Sequence, residues 1–198
     1  GTFYLLQIRP NVDSKEMLDE DLTAIPDEQL LLRSNNSLGH GIMNELQDVV
    51  YVKTDDYSAS HNQDIAWEIE KLNQQFLNEG KNYVLIGPGR WGSSDTWLGI
   101  PVKWPHVSAA RISVEAGLAS YRVAPSQGTH FFQNLTSFGV GYFTINAFMN
   151  DGVYKQDILN TQPAVHETKY LRHVHFEHPI VAKMDGKKKQ GVVLLPDS

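Results

Sequence analysis

Apolar residues fall in short bursts along most of this chain and recur at helical spacing over one long run. Residues 48–53 (Asp-Val-Val-Tyr-Val-Lys) are an apolar run bounded by charges, the mark of a buried strand. Ile65, Ile69, Leu72 and Phe76 then keep one face apolar through a helix that Gly80 closes, with Ser60 and Gln63 spaced as a capping box at its start. Tyr83-Val84-Leu85-Ile86 is again strand-like, so residues 48–86 predict a strand–helix–strand unit with a right-handed parallel crossover. Further strands are predicted at 2–8, 111–115 and 140–145, a helical turn at 105–110, and a closing hairpin of 180–184 and 191–195 about an Asp185-Gly186 turn. Residues 11–30 are acidic and loosely patterned, as in a linker, and residues 34–41 read as a turn feeding the strand at 48. Residues 150–178 read as an excursion with a short helix near 153–159. The pattern as a whole is that of an α/β fold with a mixed sheet and flanking helices.

Two stretches carry candidate chemistry. In residues 126–139, a small flexible turn leads into His130, and Phe131, Phe132, Leu135 and Phe138 mark one buried helix face that ends at Gly139. An imidazole in the first turn of such a helix has unpaired backbone N–H groups beside it, a setting that stabilises a phosphoryl group on the ring. The alternative is a histidine packed in a turn or in the core. The second stretch, residues 87–95, is a glycine-rich loop directly after a strand, in which Gly89 and Arg90 could approach a phosphate. It is neither a P-loop nor a dinucleotide fingerprint, and a tight structural turn packed by Trp91 and Trp97 is the other reading. His173 and His175 share a strand face at a spacing able to hold a metal, or they form a polar face opposite Val174 and Phe176; the sequence places no carboxylate beside them.

Composition narrows the classes. The chain has 198 residues, 41% hydrophobic, with a formal net charge of -6, and Lys187-Lys188-Lys189 is its only cationic run, which argues against a nucleic-acid partner. With no cysteine, thiolate catalysis, disulfides and cysteine-based zinc sites are excluded. No apolar stretch is long enough for a membrane span and no secretory signal is present, so a cytoplasmic location is expected.

Leu5-Leu6-Gln7-Ile8-Arg9-Pro10 resembles the Leu-Gln-x-Arg-Pro strand that ends the ATP-grasp nucleotide domain of phosphoenolpyruvate synthase and pyruvate phosphate dikinase. Residues 31–196 resemble the swivelling phosphohistidine domain that follows it: Ser37-Leu38-Gly39-His40-Gly41 is similar to the entry turn, Thr129-His130 to the Ser-His, and Met184-Asp185-Gly186 with Gly191-Val192-Val193 to the closing hairpin. The 9-residue step from His130 to Gly139 matches the step to the family's Gly-Ile-Pro. The chain departs from the family's Gly-Gly-x-Thr-Ser-His-x-Ala, reading Pro125-Ser126-Gln127-Gly128-Thr129-His130-Phe131-Phe132.

This resemblance implies a swivelling β/β/α phosphohistidine-type domain over residues 31–198, a linker at 11–30 that acts as the swivel, and at 1–10 the last strand of a truncated ATP-grasp domain. It implies a phosphoryl carrier of an ATP-dependent dikinase-type transferase, in which His130 accepts the phosphoryl group and Gly128, Thr129, Gly89 and Arg90 cradle it. Gln7 and Arg9 would face the nucleotide in the intact protein. ATP and Mg²⁺ would be held with the missing ATP-grasp domain of the same chain, this fragment alone holding neither, and a small molecule would be the final acceptor. The lost glycines, the bulky Phe131-Phe132 pair and the tryptophans at 91, 97 and 104 support a second expectation, a degenerate swivelling domain that binds or regulates without catalysis.

Overall fold

A computed structural model describes residues 20–125 and 139–196. Four strands run parallel at its centre: β3 (Gly41–Val52), β4 (Tyr83–Gly87), β7 (Ala110–Ala116) and β8 (Gly141–Ile145). They lie side by side in chain order, so connections of one hand fall on one face of the sheet. That face is covered by helix α1 (Asn62–Glu79) and by the β4–β7 connection, whose Ile100, Val102 and Val107 join Ile65, Ile69, Leu72 and Phe76 over Val50, Val52 and Leu85. Alternate side chains of the same strands, among them Val49, Tyr51, Val84, Ile86, Val114 and Phe143, point into a second core on the other face. Burial on both faces is why residues 49–52 and 83–86 read as apolar runs rather than as alternation.

The second core is closed by antiparallel strands. β11 (Leu171–Asp185) pairs with β3 on one side and with β12 (Gln190–Leu194) on the other, and β1 (Leu30–Ser34) follows β12. β2 (Asn36–Leu38) pairs with β8 at the far end of the sheet, yet only Asn35 separates it from β1. The Ser34 hydroxyl donates to the Thr144 carbonyl at 2.7 Å and the Ser37 N–H to the Lys189 carbonyl at 3.0 Å, so one stretch of chain stitches the two ends together. The protein is therefore α/β, with a curled mixed sheet and few helices. Short strands β9 (Val153–Tyr154) and β10 (Ala164–Glu167) extend it at β1 and β11, helix α2 (Gln156–Thr161) lies between them, and β5 (Arg90–Trp91) pairs with β6 (Gly99–Ile100) apart from the main sheet. Among the described residues no helix is long and apolar enough to cross a membrane.

Several local expectations change. The turn expected at 34–41 holds strand β2, because its Asn and Ser residues complete the sheet edge against β8. The expected capping box does not form: Ser58 caps a preceding turn, the Ser60 hydroxyl pairs with that of Ser58, and α1 starts at Asn62. The excursion at 150–178 ends in the first half of β11, which pairs with β3 from Leu171 onward, and its helix is shorter and later than expected. Of the acidic stretch at 11–30, residues 20–30 pack on the sheet: Leu22 and Leu30 are buried with Val192, and Arg33 donates to the carbonyls of Leu22 and Ile25.

The stop of α1 follows its sequence. Gly80 has φ +66°, and its N–H and that of Lys81 return to Leu77 and Phe76 as in a Schellman cap. A Cβ at Gly80 would meet nothing within 4 Å, so Gly80→Ala tests backbone conformation alone. We expect it to cost about 1 kcal/mol in urea unfolding; an unchanged or raised midpoint would contradict this cap.

Candidate functional site

The glycine-rich loop and the segment leading toward His130 leave the sheet at the same edge, because β4 and β7 are parallel and both connections start at their carboxyl ends. Gly89 has φ +73°, and a Cβ there would lie 2.8 Å from the Tyr121 ring and 2.9 Å from the Leu98 carbonyl. Glycine is required on both counts. Half-buried Arg90 donates from Nε to the Ala124 carbonyl at 2.8 Å, which ties the loop to the chain two residues before Ser126. Trp91 is 2% exposed and its indole N–H donates to the Val114 carbonyl at 2.8 Å, whereas Trp97 is 66% exposed. Of the two tryptophans expected to pack this turn, only Trp91 does so.

Beneath the loop lies a group the sequence reading did not single out. Glu115, next to Gly87 across the β4–β7 pair, is 4% exposed and accepts a hydrogen bond from the Tyr142 hydroxyl. Alternation along residues 111–115 predicts a wetted polar side, but Glu115 is buried, with the Tyr142 hydroxyl against it. Gln7, Arg9, Gly128, Thr129 and His130 lie outside the described residues; Gly89 and Arg90 are the expected phosphate-binding residues within them.

A second constellation sits at the opposite, amino edge of the parallel strands. Asp48 faces His175 directly across the β3–β11 pair, with His173 two residues along. Asp48 is 4% exposed and lies 2.6 Å from His173 Nε2 and 3.1 Å from His175 Nδ1. This is the carboxylate that the sequence could not place beside the two histidines. Burial alone would raise its pKa, but the two imidazole hydrogen bonds outweigh that and hold it below the ordinary carboxylate value. An ionised carboxylate only accepts, so both facing ring nitrogens are N–H donors. His173 packs on Phe76, with ring centres 5.0 Å apart. Among the described residues no group of three or more histidine and acidic side chains is arranged to hold a metal ion.

A depressed pKa in the folded state gives stability that is complete above the unfolded value, about 3.9, and is lost as the pH falls through the folded value. Asp48→Asn should therefore flatten the loss of stability below about pH 4. At pH 7 it should cost about 1–3 kcal/mol through the lost charge-assisted bonds from His173 and His175. Urea midpoints measured from pH 7 to 3 check both; parallel acid limbs for the two proteins would contradict the bonded Asp48.

Beside this trio, residues 41–47 of β3 extend beyond the start of β4, whose first paired residue, Val84, stands opposite Val49. A cavity of about 460 Å³ occupies the resulting notch and is lined by the β3 edge, Gly80–Asn82, Arg111, Asp48 and His175.

Set against known proteins, the chain matches no family model, no curated protein and no solved structure. The class its fold defines, an α/β domain with a curled mixed sheet, stands on the coordinates alone.

Proposed function

We propose that this chain is the phosphoryl-carrier domain of an ATP-dependent, dikinase-type phosphotransferase, with His130 as the acceptor. The observation that carries this reading is the Arg90–Ala124 hydrogen bond, which holds a glycine-rich loop and its guanidinium against the chain that leads into Thr129-His130. Among the described residues the terminal guanidinium nitrogens of Arg90 take no hydrogen bond or ion pair, and a fork of parallel N–H groups suits phosphate oxygens. The layering also supports the reading: a parallel sheet covered by helix on one face and antiparallel strands on the other is the β/β/α order that the resemblance implies. In this reading Gly128 and Thr129 supply amides to the phosphate, ATP and Mg²⁺ belong to the preceding ATP-grasp domain, and positioning does most of the catalytic work. Incubation of the full-length protein with ATP labelled at the β- or the γ-phosphate tests it: acid-labile label at His130 supports a carrier, and the phosphate that arrives separates dikinase from simple kinase chemistry.

One observation favours a second reading, a non-catalytic binding module. The loop is anchored as a structural turn by Trp91, and it presents exposed Trp97 beside Tyr121, whose hydroxyl holds the Trp97 carbonyl at 2.5 Å. Absence of label with an intact fold would select it.

A further inference from the structure

The notch at the amino edge of the sheet has the chemistry of a ligand site independent of His130. We propose that it binds a small polar molecule with an anionic head, a phosphomonoester or a carboxylate, held by Arg111 and Lys81, with the ring of His175 lining the same space. In a chain of net charge -6, Arg111 and Lys81 line one cavity and neither enters an ion pair among the described residues. Arg111 uses one terminal nitrogen on the Gly139 carbonyl, at 3.2 Å, and among the described residues its other guanidinium nitrogens are not engaged.

The Asp48 charge is already engaged by two imidazoles, so it opposes an anion less than a bare carboxylate would. Through that bond Asp48 also fixes the ring of His175 on the cavity wall. His175 lines the cavity with its side chain 38% exposed, so it is reachable from solvent. The wall is not uniformly positive. Glu45 and the carbonyl end of α1 at Gly80 add negative potential, which matches hydroxyl or amine donors on the remainder of the ligand. The edge of β3 without a β4 partner supplies backbone donors and acceptors along one side. A volume of about 460 Å³ is that of a small-metabolite site.

The test is a titration of the ¹⁵N-labelled full chain at pH 7 and constant ionic strength, with inorganic phosphate in one series and acetate in another, read on the imidazole nitrogens. We expect a saturable shift of His175 Nε2 with a midpoint on the order of 1 mM, typical of a single small anion. Arg111→Gln and Lys81→Gln should each weaken it about tenfold, while His166, exposed on β10, stays unmoved. A response to phosphate alone assigns a phosphoryl head and a response to acetate a carboxylate head. Lys81 is exposed, so Lys81→Gln leaves the fold intact and decides the matter if Arg111→Gln does not fold. No saturable shift up to roughly 50 mM of either anion, or equal midpoints in the parent and Lys81→Gln, overturns the proposal.

Discussion

His130→Ala should abolish acid-labile labelling of the full-length protein by ATP, while the wild-type chain takes up label from one of the two phosphates. In the carrier reading the effect is all or none, because the imidazole is then the covalent acceptor. Arg90→Lys should slow labelling by about 10- to 100-fold without eliminating it, since lysine keeps the charge and loses the planar fork. The same variant loses the Nε bond to the Ala124 carbonyl, so its melting midpoint must be measured beside its rate. A slower rate at an unchanged midpoint assigns Arg90 to the phosphate. Undiminished label in His130→Ala would end the carrier reading, and wild-type labelling in Arg90→Lys would reduce the loop to a structural turn.

What the sequence disclosed follows the range of the interactions involved. The β3–α1–β4 unit was legible because its cues are local: an apolar run, four apolar residues at helical spacing, and a glycine in the left-handed conformation at Gly80. β11 was half legible. Its hairpin with β12 is local, but its first half pairs with residues more than a hundred positions away in β3, and no local pattern specifies that partner. The Asp48–His173–His175 trio went unseen for the same reason, since the two histidines were visible as a pair and the carboxylate arrives only through the register of β3 on β11. Glu115 was hidden by a different cause. Alternation in Arg111-Ile112-Ser113-Val114-Glu115 predicts one wet face, and that holds only for a sheet left uncovered on that side. Here Glu115 is buried against the Tyr142 hydroxyl, which also accepts from the Trp91 N–H, and contacts between such distant residues leave no periodicity in the strand itself. For the candidate site, the glycine-rich loop carrying Arg90 was legible as following a strand, whereas the anchor of Arg90 on Ala124 required the parallel pairing of β4 with β7.

The same loop yields the largest expected effect on stability. Trp91 is nearly inaccessible, fills the space above Gly87 and Val52, and satisfies the Val114 carbonyl through its indole N–H. Trp91→Ala removes that volume from a core that cannot fully collapse, because Gly87 lies against the ring and the rigid parallel strands hold its other neighbours; the expected cost is about 3–5 kcal/mol. That is a large share of the roughly 5–15 kcal/mol typical of a domain. Trp91→Phe keeps most of the apolar contact and loses the donor, so about 1–2 kcal/mol is expected from the unsatisfied carbonyl and the smaller ring. Trp97→Ala, six residues on and two-thirds exposed, should fall within about 0.5 kcal/mol of the parent. Urea unfolding of the three variants, with slopes compared to confirm a common unfolded state, checks the order. Because Trp91 is the immediate neighbour of Arg90 in β5, Trp91→Phe should also slow labelling while the protein remains folded, linking the packing of the loop to the placement of its guanidinium. Equal destabilisation by Trp91→Ala and Trp97→Ala would mean that the loop does not pack as described, and the argument that it positions Arg90 for a phosphate would fall with it.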